Sequence, residues 1–188
     1  MWSYSSKGAV TTELSRGCVA RCTYCSEVYF WKFRDRQSKA TVDEIEHLYN
    51  TYGVRYIYFA DSLMNGNVKG FRDFIEELYN RKLQGLHWWG YARADARMDD
   101  EYFQLIKNSG GQGLNFGFET GSDKVLVAIN KKNTVHDINS NIISAKKADI
   151  RVSALWVIGA PGEDIEGWAH SLNLVWNHKN RIFAIAAQ

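Results

Sequence analysis

Residues 54–92 read VRYIYFADSLMNGNVKGFRDFIEELYNRKLQGLHWWGYA and contain one complete structural unit. The first seven residues are rich in β-branched and aromatic side chains and end at the polar pair Asp61-Ser62, which is typical of a strand. Apolar residues then recur at helical spacing, at positions 71, 74, 75, 78 and 79. Residues 86–92 have a second strand pattern. The sequence therefore predicts a strand, an amphipathic helix and a parallel strand.

The same alternation extends along the chain. Strands are predicted over residues 9–14, 54–60, 86–92, 114–118, 151–158 and 181–187. Helices are predicted to begin at the capping candidates Thr41 (with Glu44), Asp99, Ser122 and Thr134 (with Asp137), and a last helix begins near residue 164. Because the strand starts are separated by the length of βαβ units, we expect one parallel sheet.

Six units are too few for a closed eightfold barrel, which needs ~250 residues. The predicted fold class is α/β, a partial (β/α)6 barrel formed by an open parallel sheet with outer helices. We expect residues 1–188 to form one core domain. The uncovered edge of the last strand predicts that this domain is a fragment of a longer polypeptide, or a minimal core that another region covers.

The composition excludes several classes of protein. Lysine and arginine exceed aspartate and glutamate by 23 − 21 = 2, so no strong field attracts nucleic acid or an acidic membrane. No apolar run approaches the ~18 residues of a membrane span. The N-terminal residues lack the apolar segment of a secretory signal. We expect a cytoplasmic domain that acts on a small molecule.

The three cysteines, Cys18, Cys22 and Cys25, lie within eight residues in a C-x3-C-x2-C pattern. An odd, clustered set is a poor disulfide framework. Three thiolates suit a soft metal or an iron–sulfur cluster and leave one coordination position open. The alternatives are three structural thiols, or a zinc ion completed by a distant histidine such as His47 or His87.

Further polar residues follow the predicted strands. They are Asp61 and Ser62, Arg93 and Asp95, Glu119, and the loop at 159–163. Because the carboxyl ends of parallel strands share one edge of the sheet, these residues and the cysteine loop are predicted to share one rim.

Three segments carry a family resemblance: SRGCVARCTYC at 15–25, GFETGS at 117–122 and IGAPGE at 158–163. Together they resemble the core domain of the radical S-adenosylmethionine (SAM) superfamily, in particular its cobalamin-associated iron–sulfur oxidoreductase subset. The resemblance covers residues 10–188. It implies a [4Fe–4S] cluster on the three cysteines, with SAM bound at the fourth iron. It also implies reductive cleavage of SAM to a 5′-deoxyadenosyl radical that abstracts hydrogen from an unknown substrate.

The resemblance also implies site residues around SAM. Tyr24 corresponds to an aromatic residue near the adenine, and Val157, Ile158 and Gly159 correspond to a strand segment along the adenine. Glu119 corresponds to a residue that contacts the ribose or the methionyl end.

On the neighbouring strands, Asp61 and Ser62 stand where many members carry a glycine-rich motif that receives the amino group of SAM. The glycines are absent here. Arg93 is the candidate partner of the SAM carboxylate, because guanidinium binds carboxylate through two hydrogen bonds.

Partners are implied as well: a flavodoxin- or ferredoxin-type electron donor, and cobalamin held by a region outside this chain. The subset favours methyl transfer or rearrangement. No thiols remain for a second cluster, which argues against sulfur insertion.

Each of these roles has an alternative. Glu119 could be a charge at a helix N-terminus. Arg93 and Asp95 could pair with each other. Residues 32–36 could be a solvated loop, and the aromatics at 88–91 are expected in the core rather than in a base-stacking platform. The rival functions are a non-catalytic zinc or iron–sulfur module, and an α/β enzyme with incidental thiols.

Overall fold

The computed structural model describes residues 8–187, so residues 1–7 and Gln188 of the predicted domain lie outside the described residues. The strands are β1 (Ala9–Thr12), β2 (Ser15–Arg16), β3 (Arg34–Asp35), β4 (Tyr56–Phe59), β5 (His87–Ala92), β6 (Gly111–Glu119), β7 (Arg151–Trp156) and β8 (Ile182–Ala187). The helices are α1 (Glu27–Phe30), α2 (Ser38–Tyr52), α3 (Val68–Asn80), α4 (Asp100–Asn108), α5 (Asp123–Ala128), α6 (Val135–Lys147) and α7 (Ile165–Asn177). A 3₁₀ turn, Met64–Gly66, precedes α3.

Six strands form one parallel sheet in the order β1-β4-β5-β6-β7-β8, which is their order in the sequence. Right-handed crossovers between sequential parallel strands place the connecting helices on one face. The predicted open α/β sheet with outer helices is confirmed. Among residues 8–187, no helix is long and apolar enough to cross a membrane.

The core lies between the sheet and the helices. Alternate residues of β5, β6 and β7 are fully buried on this face, among them Trp88, Leu114, Phe116 and Phe118. The expected position of Trp88 in the core is confirmed. Trp89 and Tyr91 alternate with the core residues and lie half-buried on the opposite, inner face of the sheet.

The predicted start of α2 is wrong. The helix begins at Ser38, and Thr41 lies inside it, where its hydroxyl donates a hydrogen bond to the Gln37 carbonyl oxygen. The Glu44 carboxylate accepts hydrogen bonds from Thr12 and Arg36 instead of capping the helix.

The other predicted helix starts are at the positions that the structure shows. Asp99 and Thr134 cap α4 and α6 through their side chains, and Thr134 forms the capping box with Asp137. Ser122 occupies the N-cap position of α5, yet its side chain makes no capping bond.

A short antiparallel ribbon was not predicted. β2 pairs with β3, so that Ser15 lies opposite Asp35 and Arg16 opposite Arg34. The expected solvated loop over residues 32–36 is therefore partly a strand. The ribbon encloses the cysteine loop and α1 between its two strands.

Candidate functional site

The cysteine loop lies at the carboxyl edge of the sheet. It follows β1 and β2, and all three thiols are unoxidised. Cys22 is buried, whereas Cys18 and Cys25 are partly exposed. The Ala20 amide lies 3.4 Å from the Cys18 sulfur, and the Cys25 amide donates to the Cys22 carbonyl oxygen at 3.2 Å. Burial raises the pKa of the Cys22 thiol, and the positive charge of Lys131 opposes that rise.

The three thiols are a donor set of the kind that binds an iron–sulfur cluster. Within residues 8–187, no group of three or more histidine, cysteine, aspartate or glutamate side chains is arranged to hold one metal ion. Thiols that bind a cubane each bind a different iron, so they need not converge on one point.

Neither candidate histidine completes a zinc site. His87 is the first residue of β5 and therefore lies at the opposite edge of the sheet, about 20 Å from its carboxyl end. His47 lies in the second half of α2, beside Thr51 and Tyr52. Neither of these two histidines therefore supplies a fourth ligand for the zinc alternative.

The start of the cysteine segment is anchored by Asp61. Its carboxylate accepts hydrogen bonds from the Leu14 amide (3.0 Å), the Ser15 amide and the Ser15 hydroxyl (2.6 Å). Burial raises the pKa of Asp61, and these hydrogen bonds oppose the rise. Ser62 lies exposed beside it. Both oxygens of Asp61 are thus engaged in holding the chain that leads to Cys18.

The middle of the loop is anchored by the turn that follows α5. The Thr23 amide donates to the Ile129 carbonyl oxygen at 3.0 Å. The Asn130 side-chain amide donates to the Arg21 carbonyl oxygen at 2.8 Å. Asn130 has a φ of 57°, in the left-handed region that asparagine tolerates. The sequence analysis missed these contacts, since no spacing rule links residues so far apart.

Glu119 forms a buried ion pair that the sequence analysis also missed. Its Oε1 accepts a hydrogen bond from the Nζ of Lys131 at 2.7 Å, and both side chains are about nine-tenths buried. The partner of the Glu119 carboxylate is thus Lys131, and the acidic residue in the first turn of α5 is Asp123.

Gly117 and a bulge make room for this pair. A Cβ on Gly117 would overlap Glu119 Oε1 and lie 2.9 Å from Lys131 Nζ, so only glycine leaves the space. The register of β6 against β7 shifts between Gly117 and Glu119, and Glu119 has a φ of 67°. A strained, non-glycine conformation at a strand end is typical of functional sites.

Tyr24 links the cysteine loop to this ion pair. Partial burial and then the negative charge of Glu119 raise the pKa of Tyr24. The Val157 amide donates to the Glu119 carbonyl oxygen at 3.1 Å. The structure thus brings Cys22, Tyr24, Glu119 and Val157 close together.

The loop after β7 is open. Ile158 and Gly159 are exposed, Gly159 has a φ of 72°, and no atom lies within 4 Å of where its Cβ would be. The Gly159 amide donates to Oε2 of Glu163 at 2.8 Å, which fixes the turn. This leaves a small, unobstructed backbone segment beside Glu119.

Arg93 has an ordered backbone and an unpaired side chain. Asn65 holds its amide at 2.9 Å and its carbonyl oxygen at 2.7 Å. Asp95 pairs with Arg97 through two hydrogen bonds, which lower the pKa of Asp95, and the nearby positive charge of Arg93 lowers it further without forming an ion pair. No hydrogen bond or ion pair joins the Arg93 guanidinium to any other residue from 8 to 187. It remains a half-buried cation at the rim, with the chemistry to bind a carboxylate.

Comparison with known proteins gives a family match over most of the chain. The sequence profile of the Radical SAM superfamily matches residues 12–175. The anaerobic magnesium-protoporphyrin IX monomethyl ester cyclase of Cereibacter sphaeroides is 31% identical over 167 residues, which are 87% of this chain and 27% of that protein. The cytidylyl-2-hydroxyethylphosphonate methyltransferase of Streptomyces wedmorensis is 33% identical over 163 residues, which are 81% of this chain and 30% of that protein. The chain therefore spans less than a third of the length of these relatives.

Solved structures share the fold. The radical SAM methyltransferase TsrM of Kitasatospora setae, with tryptophan and a SAM analogue bound, superposes with a TM-score of 0.85 at 20% identity, over 97% of this chain and 36% of that one. The cobalamin-dependent SAM radical enzyme OxsB, with aqua-cobalamin and SAM bound, gives a TM-score of 0.67 at 20% identity, over 95% of this chain and 28% of that one.

The cysteine loop at the rim, the open parallel sheet and the profile match agree with one another. The chain belongs to the radical SAM superfamily, whose enzymes use a [4Fe–4S] cluster and S-adenosylmethionine.

Proposed function

We propose that Cys18, Cys22 and Cys25 hold the [4Fe–4S] cluster of this domain and that SAM binds on the rim beside it. The observation that carries the proposal is the arrangement of three free thiols on one loop, anchored by Asp61 on one side and by the turn after α5 on the other. When bound, the cluster supplies the electron that splits SAM into methionine and a fragment able to remove hydrogen from a substrate.

The rim residues bind and orient SAM in this proposal. The free guanidinium of Arg93 receives the SAM carboxylate. Glu119, held by Lys131, accepts hydrogen bonds from the ribose hydroxyls or the amino group. Tyr24 and residues 157–159 lie along the adenine, where the absence of a side chain at Gly159 allows close approach. Ser62 completes the rim beside Asp61, whose own role is to position the cysteine segment.

The reaction class that we propose is methyl transfer or ring rearrangement on a small organic molecule. The matched relatives include a methyltransferase and a cyclase, and one fold neighbour is described with cobalamin and a [4Fe–4S] cluster. Cobalamin would be held outside these 188 residues. The inner face of the sheet carries the half-buried aromatic rings of Tyr58 and Tyr91, whose centroids are 6.1 Å apart. Such a substrate can pack against these rings.

The proposal includes a one-electron protein donor and a cytoplasmic location, because free thiols and iron–sulfur clusters persist in a reducing compartment.

Anaerobic reconstitution with iron and sulfide tests the proposal. We expect about four irons per chain, and SAM-dependent formation of 5′-deoxyadenosine after reduction with dithionite. Cys22→Ala should lose both, whereas Ser26→Ala, next to Cys25 and outside the triplet, should retain both. Stoichiometric zinc without iron uptake would overturn the proposal in favour of a non-catalytic metal module.

A further inference from the structure

An exposed aromatic and basic surface adjoins the cysteine loop. It is formed by Tyr29, Phe30, Trp31, Lys32 and Arg34, and we name it the 29–34 surface. Tyr29 and Phe30 are 84% and 71% exposed, and Trp31 is nearly half exposed. Contiguous exposed apolar patches are typical of interaction sites.

The 29–34 surface lies against both flanks of the cysteine loop. It begins four residues after Cys25. Its other side packs on Gly17, which precedes Cys18: a Cβ on Gly17 would lie 2.9 Å from the Lys32 carbonyl oxygen and 3.1 Å from Trp31 Cβ. A partner seated on this surface therefore lies next to the thiols.

The surface carries two cations, Lys32 and Arg34, that form no ion pair with the residues the structure describes. The guanidinium groups of Arg16 and Arg34 lie over the Trp31 ring, at 5.8 and 5.7 Å from its centroid. Within residues 8–187, Lys32 and Arg34 form no ion pair, whereas Arg16 pairs with Glu13. Exposed Arg21, on the cysteine loop itself, adds a further cation without an ion pair among these residues.

Among the described residues, the nearby carboxylates Asp35 and Glu27 form no ion pair with these cations. Asp35 accepts a hydrogen bond from the Asn67 side chain at 2.7 Å, and Glu27 has one oxygen buried in the protein. A partner for this surface thus needs negative charge and an apolar contact patch. Aromatic residues and arginine are also the types enriched at protein interfaces.

We infer that the 29–34 surface docks an acidic one-electron carrier protein. The inference rests on the proposed function, because it gives the cluster a source of electrons. One electron passes from the reduced carrier to the cluster, so the carrier is oxidised by one electron and the cluster is reduced by one. No bond forms or breaks, and no proton moves.

The test compares two charge-reversal variants of the reconstituted protein. Lys32→Glu/Arg34→Glu alters the 29–34 surface. Lys82→Glu/Lys146→Glu makes the same charge change at exposed lysines after α3 and at the end of α6, on the opposite edge of the sheet. The probe is flavodoxin. Calorimetry gives the Kd of its oxidised form at low salt, and stopped-flow absorbance gives the rate at which its reduced form reduces the cluster.

We expect the surface variant to bind flavodoxin about tenfold more weakly and to accept its electron correspondingly more slowly, because rim charges steer association. The control variant should match the parent protein. Dithionite, which needs no docking site, should reduce all three proteins at the same rate. Phe30→Ser, which removes a largely exposed side chain, provides the same comparison if the charge variant loses its cluster.

Equal flavodoxin affinity in the surface and control variants would overturn the inference. A second result would also overturn it: sedimentation shows a dimer that Phe30→Ser dissociates, and flavodoxin does not bind. The surface would then be occupied by a second copy of the chain. Failure of the proposed function looks different: no cluster forms, and no SAM is cleaved even with dithionite.

Discussion

The ion pair between Glu119 and Lys131 joins two parts of the site that are separate in the sequence. Its Nζ–Oε1 distance of 2.7 Å and its burial make it unlike the exposed pairs on the helices. A buried carboxylate without a cation is costly to keep ionised. In the proposed SAM site, we therefore expect Lys131 to act through Glu119 as a positioning residue.

Lys131→Met should weaken SAM binding by roughly ten- to a hundredfold, because a charged hydrogen bond contributes about 1.5–3 kcal/mol. Lys131→Arg should restore most of that loss. Equilibrium binding of SAM to the reconstituted protein measures the effect, and iron content shows that the cluster is intact. The adjacent, exposed Lys132→Met is the matched control. Equal SAM affinity in Lys131→Met and Lys132→Met would exclude the positioning role.

A second prediction concerns the side chain of Arg93. Because its guanidinium is unpaired within residues 8–187, Arg93→Gln should leave the free energy of unfolding within about 0.5 kcal/mol of the parent value. The affinity for SAM should fall by roughly ten- to a hundredfold, because the SAM carboxylate would lose a charged hydrogen bond. Denaturant unfolding and SAM titration measure the two quantities. A large loss of stability with unchanged SAM affinity would assign Arg93 a structural role.

Among the elements, the cysteine segment depends on supports from β4 and α5 rather than on its own conformation. Asp61 follows β4, and the turn at Ile129 and Asn130, which contacts Thr23 and Arg21 of the cysteine loop, follows α5. Asp61→Ala would leave buried amides of residues 14 and 15 without an acceptor.

We expect Asp61→Ala to destabilise the fold by about 2–4 kcal/mol, because two buried donors lose their partner. Iron retention should fall in parallel. Thermal unfolding and iron analysis after gel filtration provide the measurement, and Ser62→Ala serves as the neighbouring control. Full iron retention in Asp61→Ala would show that the loop holds its conformation without this anchor.

The end of α7 has a pH-dependent contact. His178 is buried, and its Nε2 lies 2.6 Å from Asn139 Oδ1 on α6. Burial and then the charge of Arg181 lower the pKa of His178, so the folded state favours the neutral ring. The unfolded chain takes up a proton first as the pH falls.

Stability should therefore be fully present above about pH 6.5, the ordinary histidine value, and decrease as the pH falls below it. His178→Asn should reduce the slope of unfolding free energy between pH 7.5 and 5.5. Part of the remaining slope should come from His87, because burial also lowers the pKa of that histidine. An unchanged slope in the variant would contradict the assignment.

Across the whole molecule, the sequence predicted the repeated units well and the contacts between them poorly. Periodicity identified α3 through Phe71, Phe74 and Leu78, all buried. The two-residue strands β2 and β3 carry no periodic signal, so their pairing was missed. The Thr41–Glu44 pattern resembles a capping box, but it lies inside α2, which begins at Ser38, and Glu44 is bound by Arg36 instead. Lys131 was missed since its partner Glu119 lies across a bulge and a separate helix.

A substitution at Phe116 tests how much the central core contributes to the stability of the fold that carries the site. It is fully buried and stacks on Phe118 at 5.5 Å between ring centroids. Phe116→Ala should reduce the free energy of unfolding by about 3–5 kcal/mol. Val127→Ala, at a side chain that is 80% exposed, should change it by less than about 0.5 kcal/mol. Chemical denaturation provides both values, and a small effect at Phe116 would mean that the sheet relaxes around the cavity.

The two anchors of the cysteine loop have a consequence for biogenesis. One comes from Asp61 after β4, and the other from Ile129 and Asn130 at the end of α5, so the thiols reach their final arrangement only when about two-thirds of these 188 residues have folded. A partly synthesised polypeptide can expose the same three cysteines but not the same geometry. We therefore expect a cluster to assemble on these thiols only after the residues up to about 130 have folded, so that the fold that encloses the site is formed before the cluster.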